Sequence, residues 1–382
     1  MKPRPSAVEL FCGCGGLSTG LLDAGYDVRL GIDLDAPSLI AFEHNHSYRG
    51  SRSLRADVAE LSGADVLVAA GLARLDLLAG GPPCQPFSIA GKRRGLNDPR
   101  GHLVAEFLRL VDEIRPRAVL LENVPALVSS HSGAVVQAIE STLSNLGYGV
   151  NWAVVNAAAY GVPQNRKRLI IIGIDGAASV PFPPLPTHGL GDTLFGQPLL
   201  TARDVLGDLP DVDDPRAEGI PNHEPTAHTP TMVERFERLE PGRRDRSSYH
   251  DRLHPDRPGY TLRAGSGNFS PLRPVHYEHH RVISVRESAR LQGFDDTFVW
   301  PDSLPRLQQY RQVGNAVPPP LARAVGEHLA GILGWGIDPE LSRGDVASRP
   351  NGLTMTADER RARRDRYNNG GASSGKAANR AS

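Results

Sequence analysis

The sequence predicts an α/β protein in which a mostly parallel sheet carries helices on both faces, accompanied by a small irregular domain. Short apolar runs alternate with stretches of helical periodicity up to about residue 175, which is typical of βαβ units. A glycine-rich turn separates the first apolar run from the first helical stretch, as at the opening of nucleotide-binding α/β units. After residue 176 the composition shifts toward proline, glycine and charged residues, which predicts a less regular unit.

The composition limits the possible classes of protein. The 382 residues allow one large domain with an insertion, or two domains. Lysine plus arginine and aspartate plus glutamate both number 43, so only local clusters of charge could bind nucleic acid. The three cysteines argue against a disulfide framework and for a reducing compartment. With no leader sequence and no apolar run of membrane length, we expect a soluble, cytoplasmic protein.

The first strand, turn and helix are predicted at residues 7–11, 12–16 and 17–24. Glycines in the turn would let a ligand approach the backbone and the N-terminus of the helix. Cys12 and Cys14 lie in this turn, but no second cysteine pair or histidine cluster stands at ligand spacing. We therefore expect no metal site.

Acidic residues follow the next two strands. Asp33 closes a strand predicted at residues 28–32, where it could hold a pair of ribose hydroxyls or cap the helix that follows Pro37. Asp57 follows a short third strand, and it could accept a hydrogen bond from an adenine amino group or cap a turn. Position alone leaves both alternatives open.

The chain is organised around a strand predicted at residues 75–79 and the loop that follows it. Two glycines end the strand, and two prolines then hold Cys84 stiffly at its carboxyl end, where ligands bind in open α/β sheets. A thiol there is well placed to act as a nucleophile, although a lone cysteine after a strand is more often a small buried apolar residue. A basic stretch at residues 91–100 favours the reactive alternative, because positive charge stabilises a thiolate.

The alternation of helices and strands continues to residue 174. A carboxylate, Glu122, ends the strand after the central one, and it lies one strand over from Cys84 if the two strands pair in parallel. A basic run at residues 164–168 separates the last two strands and could equally be a solvated hairpin. The remaining predicted elements are helices at residues 101–114 and 133–146 and strands at residues 118–121, 151–156 and 169–174.

Residues 177–281 show little helical periodicity. Arginine dominates from residue 235 onward, with aromatic residues interleaved, which predicts a nucleic-acid surface or, alternatively, an irregular solvated insertion. Helical pattern returns at residues 284–292 and 317–333. The polar residues 336–382 are expected to form a disordered C-terminal tail.

Taken together, these residues resemble the DNA (cytosine-5) methyltransferases of the bacterial modification type. The resemblance covers about residues 6–175 and 282–334 and includes six motifs in the family's order. The motifs are Phe11-Cys12-Gly13-Cys14-Gly15-Gly16, Gly81-Pro82-Pro83-Cys84-Gln85-Pro86-Phe87-Ser88, Glu122-Asn123-Val124, Gln164-Asn165-Arg166-Lys167-Arg168, Arg286-Glu287-Ser288-Ala289-Arg290-Leu291-Gln292-Gly293-Phe294 and Gly314-Asn315-Ala316-Val317-Pro318. Any one of them could arise by chance, but six in order at compatible distances are highly specific.

The resemblance implies a fold and a ligand. The fold is that of the class I S-adenosylmethionine-dependent methyltransferases, which is Rossmann-like, with a catalytic domain at residues 1–176 and 282–335 and a target-recognition domain at residues 177–281. The implied methyl donor is S-adenosyl-L-methionine. Many relatives carry Glu then Trp where this chain has Asp33 then Leu34, so the surface for adenine differs. The residues that would line the donor site are Phe11, Gly13, Gly15, Gly16, Asp33, Asp57, Pro83, Leu103 and Asn315.

The resemblance also implies covalent catalysis on a cytosine that is flipped out of duplex DNA. Cys84 would add to C6, its pKa lowered by positive charge from Arg166 and Arg168. Glu122 would hold or protonate N3, its pKa raised by burial, and Arg168 would donate to O2. Residues expected to contact DNA are Gln85, Ser88, Lys92, Arg100 and Arg263.

These features predict an enzyme that methylates a short specific sequence in double-stranded DNA, as a monomer, with a cognate restriction endonuclease encoded nearby. The tRNA cytosine-5 methyltransferases share the motifs but are expected to carry Cys-Phe-Thr in the recognition segment, and this chain has no cysteine after Cys84. A non-catalytic DNA-binding regulator with the same fold is a second alternative. The intact Cys84, Glu122, Arg166 and Arg168 argue against it.

Overall fold

A central seven-stranded sheet organises the protein, whose structure is a computed structural model. The structure describes residues 4–83, 102–129, 133–189, 196–265 and 273–337. The strands of the sheet are β1 (Ser6–Leu10), β2 (Asp27–Asp33), β3 (Arg52–Arg55), β4 (Leu77–Gly80), β5 (Ala118–Asn123), β6 (Tyr148–Asn156) and β7 (Lys167–Asp175). Their order across the sheet is β3-β2-β1-β4-β5-β7-β6.

Strand β7 runs against its neighbours. Strands β1 to β5 pair in parallel, whereas β7 is antiparallel both to β5 and to β6. The beginning of β7 therefore lies at the same sheet edge as the carboxyl ends of the parallel strands. Strands β4 and β5 end side by side at this edge, because Gly80 pairs with Leu121. The predicted α/β class with a mostly parallel sheet is confirmed.

Helices cover both faces of the sheet. Helices of the described residues are α1 (Gly16–Asp23), α2 (Ala36–His46), α3 (Gly63–Ala70), α4 (His102–Ile114), α5 (Ala126–Ser129), α6 (Ala134–Asn145), α7 (Ala202–Leu206), α8 (Pro230–Arg238), α9 (Val285–Leu291), α10 (Arg306–Asn315) and α11 (Pro319–Leu333). Helices α1 and α11 bury their apolar residues against one face, and α3, α4 and α6 bury theirs against the other. The result is a three-layer sandwich.

Alternation along β1 shows how the sequence builds these layers. Val8 and Leu10 belong to the core beneath α4, whereas Ala7 belongs to the core beneath α1 and α11, because successive side chains of a strand face opposite sides. Glu9 shares the face of Ala7 and is only 3 % exposed. A carboxyl group is therefore buried under α1, where the Ser18 backbone N–H donates a hydrogen bond to it at 2.9 Å.

A glycine permits the close crossing of α1 and α11. A Cβ added to Gly20 would lie 2.3 Å from the Pro319 carbonyl oxygen and 2.5 Å from the Ala322 Cβ. Tyr26, which follows α1, donates a hydrogen bond to the Gly326 carbonyl at 2.8 Å. Helix α1 thus packs against a helix whose residues follow it by about 300 positions in the chain.

Residues 177–281 are less regular than the sheet, but they contain α7 and α8 and two short strand pairs. Apolar residues of this segment, among them Leu206 and Leu262, share one core with Val285 of α9 and Val313 of α10. The segment and these two helices therefore pack together. The strand pairs are β8 (His188–Gly189) with β9 (Gln197–Pro198) and β10 (Asp251–Arg252) with β11 (Pro274–Val275).

Two arginines predicted to form part of a nucleic-acid surface are instead internal. Arg252 is 5 % exposed and donates to the carbonyls of Phe236 and Leu239 at 2.8 Å. Arg281 bonds both carboxylate oxygens of Glu287 at 2.8 Å. The prediction is wrong for these two side chains, because they stabilise the segment and join it to α9.

Two further differences from the predicted elements have local causes. The helix that follows Pro37 is capped by Asp35, which accepts from the Ser38 backbone N–H at 3.0 Å, so the prediction that Asp33 caps it is wrong. Helix α10 is missed because glutamine and arginine dominate its sequence, so its apolar periodicity is weak.

The structure also bears on the membrane, metal and tail predictions. No helix in the described ranges is both long and apolar enough to cross a membrane. Within the same ranges, no group of three or more histidine, cysteine, aspartate or glutamate side chains could hold a metal ion. Residues 338–382, which make up nearly all of the predicted tail, lie outside the described part of the chain.

The crossing of α1 and α11 can be tested with two glycines. Gly20→Ala should destabilise the protein by about 1–3 kcal/mol, because its methyl group would overlap the α11 backbone. Gly331 lies in α11 with open space around its Cβ position, so Gly331→Ala should stabilise the protein by about 0.5–1 kcal/mol. Thermal unfolding followed by circular dichroism measures both. A gain in stability from Gly20→Ala would contradict the close crossing.

Candidate active site

A cavity of about 830 Å³ opens at the carboxyl edge of the parallel strands. Residues after β2 and β3 line one end, and residues after β4 and β5 together with the start of β7 line the other. Convergence of polar groups in a large cavity is the usual mark of a binding site. The residues singled out from the sequence that line it are Phe11, Gly13, Gly16, Asp33, Asp57, Pro83, Leu103, Glu122, Arg166, Arg168 and Asn315.

The glycines of the turn after β1 have different roles. Gly13 has φ +54° and open space around its Cβ position, so its backbone leaves room for a ligand. A Cβ on Gly15 would instead lie 2.3 Å from the His46 ring, and one on Gly16 would lie 2.4 Å from the Val317 carbonyl oxygen. These two glycines are needed for packing, and Gly15 is not among the residues that line the cavity.

The end of the cavity near β2 and β3 is acidic. Asp33 accepts from the backbone N–H of Gly13 at 2.8 Å and of Asp35 at 2.9 Å, and burial raises its pKa. Asp57 lines the cavity and also accepts from the Ala59 backbone N–H at 3.0 Å, so it does cap a turn. Leu34 presents an apolar side chain between them, 60 % exposed.

At the opposite end, the reversal of β7 brings an arginine to the carboxylate that ends β5. Asn123 pairs with Leu169 across the two strands, so Arg168 lies one position beyond this pair and diagonal to Glu122. The Arg168 Nε lies 2.7 Å from the Glu122 Oε1, and the two side chains are 11 % and 13 % exposed. Burial raises the pKa of Glu122, and the nearby Arg168 and Arg166 charges oppose this rise. The carboxyl therefore keeps its proton to a higher pH than an exposed glutamate would.

Arg166 is 1 % exposed, and its guanidinium binds the backbone of two distant parts of the chain. Nη1 donates to the Leu262 carbonyl at 2.9 Å, and Nη2 donates to the carbonyls of Gly314 at 2.8 Å and Ala316 at 3.2 Å. Its Nε has no hydrogen-bond partner in the described structure. The alternative of a solvated hairpin at residues 164–168 is wrong, because three of these side chains are buried.

Contacts at the ends of β4 and β5 hold the start of the loop that follows β4 and begins at Gly81. The Asn123 Nδ2 donates to the Pro82 carbonyl at 3.0 Å. A Cβ on Gly81 would lie 3.1 Å from the Glu122 Oε2, so the backbone passes close to that carboxyl. Asn123, which received no role in the sequence analysis although it belongs to the Glu122 motif, therefore anchors this loop.

The loop itself lies outside the described residues, which end at Pro83 and resume at residue 102. Pro83 lines the cavity and is bonded to the next residue, which is the predicted nucleophile. The predictions that fall on this undescribed stretch, and that stay predictions, concern Cys84, Gln85, Ser88, Lys92 and Arg100.

Residues 177–281 reach the cavity through their contact with α10. A Cβ on Gly314 would lie 2.6 Å from the Ala264 backbone nitrogen and from the Arg263 carbonyl carbon. The Arg263 residue is exposed at this point. Asn315, the last residue of α10, lines the cavity. The exposed Arg263 therefore lies beside the wall of the cavity that α10 forms.

Glu9 is a cavity residue that the sequence analysis missed. Its Oε2 accepts from the backbone N–H of Ser18 at 2.9 Å and also from the Ser18 hydroxyl. The pKa of Glu9 is raised to about 8, chiefly by burial and in smaller part by the Asp33 and Glu122 carboxyl groups, while the hydrogen bonds from Ser18 oppose this rise. A single charged residue inside the apolar first strand was the available signal.

The two ends of the cavity suit different chemistry. The acidic end suits a ligand with hydroxyl and amino donors. The end at Glu122 and Arg168 offers a carboxyl that holds its proton and a guanidinium that can donate to an oxygen. Together they can bind a polar heterocycle and take up the charge that develops when it is attacked.

Comparison with known proteins identifies the chemistry that this arrangement serves. The family model described as C-5 cytosine-specific DNA methylase matches residues 6–331 of the chain. The Type II methyltransferase M1.HphI of Haemophilus parahaemolyticus is 34% identical over 84% of this chain and 85% of its own length. The Type II methyltransferase M.XorII of Xanthomonas oryzae is 34% identical over 86% of this chain and 85% of its own.

Solved structures agree with this comparison. An Escherichia coli protein described as a prophage-encoded DNA modification methyltransferase superimposes with a TM-score of 0.70 and 27% identity, over 87% of this chain and 100% of the other. The Dnmt2 methyltransferase of Schizosaccharomyces pombe superimposes with a TM-score of 0.62 over 87% of this chain and 99% of its own, but at 18% identity. The second similarity shows the shared fold alone.

The buried Glu9 carboxyl should make stability depend on pH. Its folded-state pKa of about 8 exceeds its ordinary value of 4.5, so the folded protein binds the proton more tightly than the unfolded chain does. Its contribution is fully present below the ordinary value and is lost as the pH rises toward 8, with a slope of up to about 1.4 kcal/mol per pH unit.

Glu9→Gln keeps an acceptor for Ser18 and removes the titration. The free energy of unfolding of this variant, measured by urea denaturation between pH 5 and 8, should therefore fall less with pH than that of the natural protein. Parallel pH dependences for the two proteins would show that Glu9 does not titrate in this range.

Proposed function

The chain belongs to the C-5 cytosine-specific DNA methylases, and from that premise we propose that its cavity holds a flipped-out cytosine at one end and S-adenosyl-L-methionine at the other. The cytosine lies against Glu122 and Arg168, and Cys84 is the nucleophile. The observation that carries the proposal is the Glu122–Arg168 pair, joined at 2.7 Å, at the sheet edge where the loop to Cys84 begins.

The acidic end of the cavity fits the nucleoside of the donor. Asp33 and Asp57 present carboxylate oxygens that can accept from ribose hydroxyls and an adenine amino group, and both line the cavity. The open space beside Gly13 admits a ligand to the backbone, and the exposed Leu34 supplies an apolar surface for a base. When bound, S-adenosyl-L-methionine supplies an electrophilic methyl group on a sulfonium sulfur.

The nucleophile and the acid act on the ring of the cytosine. The Cys84 thiolate forms a bond to C6, the electrons of the C5–C6 double bond shift toward C4 and N3, and Glu122 gives its proton to N3. The ring becomes an enamine with electron density at C5, which would bond to the methyl carbon of the donor as the bond from that carbon to the sulfonium sulfur breaks and leaves a neutral thioether. Water then takes the C5 proton, the electrons of the C5–H bond re-form the C5–C6 double bond and expel the Cys84 thiolate, and the N3 proton returns to the Glu122 carboxylate.

The two arginines have separate roles in this proposal. The Arg168 Nε lies 2.7 Å from the Glu122 Oε1. Its Nη1 donates to the Lys167 carbonyl, also at 2.7 Å. Its Nη2 makes no hydrogen bond within the described structure, and it would donate to the cytosine O2. Arg166 contributes positive charge that stabilises the Cys84 thiolate, while its bonds to backbone carbonyls hold it in place.

Residues 177–281 read the DNA sequence in this proposal, and residues 1–176 and 282–335 carry out the reaction. The core that residues 177–281 share with α9 and α10 holds this segment against the cavity. Flipping a base out of the duplex costs a few kcal/mol, which contacts to the surrounding strands offset. Those contacts come from Gln85, Ser88, Lys92, Arg100 and Arg263.

The setting of the enzyme follows from its relatives. Curated relatives carry the name Type II methyltransferase, so we propose that this chain is the modification enzyme of a restriction–modification system with a cognate endonuclease. It acts as a monomer on double-stranded DNA in the cytoplasm of a bacterial cell.

The nucleophile is tested by Cys84→Ser. This variant should lose methyl transfer to duplex DNA by about a thousandfold or more, because the covalent route is closed, while it still shifts DNA in a gel. The natural protein should form a covalent complex with DNA that carries 5-fluorocytosine, visible on a denaturing gel, and the variant should not. Transfer at the natural rate by Cys84→Ser would refute the proposal.

The DNA contact of Arg263 is tested by Arg263→Ala, with Arg74→Ala as a matched control. Arg74 is also exposed, but it precedes β4 and so stands at the opposite edge of the sheet. Arg263→Ala should reduce the slope of log K for DNA against log salt by about one, because one phosphate contact is lost. Fluorescence anisotropy over a series of salt concentrations measures this slope. Equal slopes for Arg263→Ala, Arg74→Ala and the natural protein would remove Arg263 from the interface.

A further inference from the structure

The most exposed tyrosine of the described residues lies in a tight turn of the segment to which the proposed function assigns the reading of DNA. Residues 242–252 double back on themselves, and the Asp245 backbone N–H donates to the His250 carbonyl at 2.9 Å. Tyr249 lies in the turn between these two residues, and 55 % of its surface is exposed. The roles assigned above do not include it.

The backbone of Tyr249 has a conformation that a tyrosine rarely adopts. Its φ is +59°, in the left-handed region that favours glycine and is unfavourable for a bulky side chain. Its backbone N–H donates to the Asp245 carbonyl at 2.9 Å, so the turn holds this conformation. Glycine would suit the turn better, and strain of this kind at an exposed position points to a function of the side chain.

Contacts within the protein hold the turn in one shape. The Asp245 Oδ1 accepts from the backbone N–H and the hydroxyl of Ser247, both at 2.7 Å. Helix α8 supports the turn, because the Arg235 Nη1 donates to the Ser247 hydroxyl at 2.9 Å. The ring of His250 packs against the buried Phe236 of the same helix, with the centroids 4.9 Å apart. The turn therefore presents its exposed side chain in a fixed direction, which lowers the entropy lost on binding.

A guanidinium lies against the ring of Tyr249. The Arg273 Cζ is 5.7 Å from the ring centroid, which is within the range of a cation–π contact. Arg273 directly precedes β11, and its carbonyl accepts from the Asp251 backbone N–H of β10 at 3.0 Å. Because β10 and β11 are parallel, both side chains come from the same end of this strand pair and form one aromatic and cationic surface.

The base of the turn is joined to a stretch of chain that passes the cavity. The Tyr260 hydroxyl donates to the Gly242 carbonyl at 2.6 Å, and the hydroxyl of the next residue, Thr261, donates to the Asn165 carbonyl at 2.6 Å. Asn165 belongs to the basic run whose arginines line the cavity. The turn therefore starts from the side of the cavity where Arg263, two residues after Thr261, is proposed to contact DNA.

The chemistry of an exposed tyrosine matches the edge of a base pair. Its ring can contact the methyl group of a thymine, and its hydroxyl can donate to or accept from the polar groups that base pairs present in the major groove. Contacts to phosphate need positive charge and carry no sequence information. A rigid, strained aromatic residue therefore suits readout of a base rather than attachment to the DNA backbone.

We propose that Tyr249 is a specificity-determining residue, which contacts the edge of one base pair near the target cytosine in the major groove while Arg273 holds its ring in place. This inference rests on the proposed function and names one side chain by which residues 177–281 recognise the sequence. Tyr249 takes no part in the reaction itself.

The test begins with the sequence that the natural protein methylates, determined by bisulfite sequencing of a randomised duplex library. The kcat/KM of the natural protein, Tyr249→Gly and the control Val68→Ala is then measured on the preferred duplex and on duplexes altered at each position. Tyr249→Gly removes the ring and suits the backbone at this φ. Val68 is 79 % exposed on α3, which leads to the edge of the sheet opposite the cavity.

Tyr249→Gly should lower the discrimination at one base pair about tenfold or more, because a base contact is lost, and should leave the other positions within about twofold. The slope of log K for DNA against log salt should stay unchanged, because no charge is removed. The melting temperature should fall by no more than about 2 °C, because glycine is favoured at this φ. Val68→Ala should change none of these quantities.

Other outcomes overturn the inference in distinguishable ways. Equal losses on every duplex, with lower melting, would make Tyr249 a structural residue of the turn. Unchanged discrimination at all positions would remove it from the readout. If the natural protein methylates no duplex, the proposed function fails and this inference with it. If Tyr249→Gly does not fold, Tyr249→Asn tolerates the left-handed backbone and should lose the same discrimination.

Discussion

The buried guanidinium of Arg166 joins three parts of the chain that meet at the cavity. It binds carbonyls of Leu262, Gly314 and Ala316, and a buried charge is tolerated only when such partners compensate its lost hydration. These bonds hold the segment of residues 177–281 and the end of α10 against the start of β7. The reversed direction of β7 then fixes Arg168 beside Glu122. The geometry of the reactive end therefore depends on one side chain that is itself almost inaccessible.

Much of the sheet and of one end of the site could be predicted from local patterns. Glu122 lies near the end of β5, which pairs in parallel with β4, so residue order alone predicted that it lies at the sheet edge where the loop after β4 begins. The partners of Arg166 could not be predicted in this way, because they lie 96 and 148 residues away. Helix α10 was missed because its core-facing residues are few, and Glu9 was missed because one acid in an apolar strand has no periodicity to reveal it. Each missed feature depends on contacts that form only in the folded chain.

Residues 177–281 pack against the helices that form one wall of the cavity. Leu262 packs in the core that includes α9 and α10, and the backbone at Ala264 lies against Gly314. Arg281 and Glu287 add a buried ion pair between the segment and α9. A displacement of the segment on DNA would therefore act directly on α10 and Arg166. These contacts could not be predicted from the irregular sequence of residues 177–281. Loops of any composition can carry the few apolar and charged residues that make them.

The packing of α1 against α11 has a consequence for synthesis of the protein. The turn after β1 leaves the ribosome first, but Val317 and the residues of α11 that complete its surroundings leave near the end. Contacts so distant in the chain form slowly, and until they form, the apolar side of α1 has no cover and is exposed to aggregation. A nascent chain interrupted before α11 therefore lacks a finished cavity, and methylating activity can begin only after α11 has been translated.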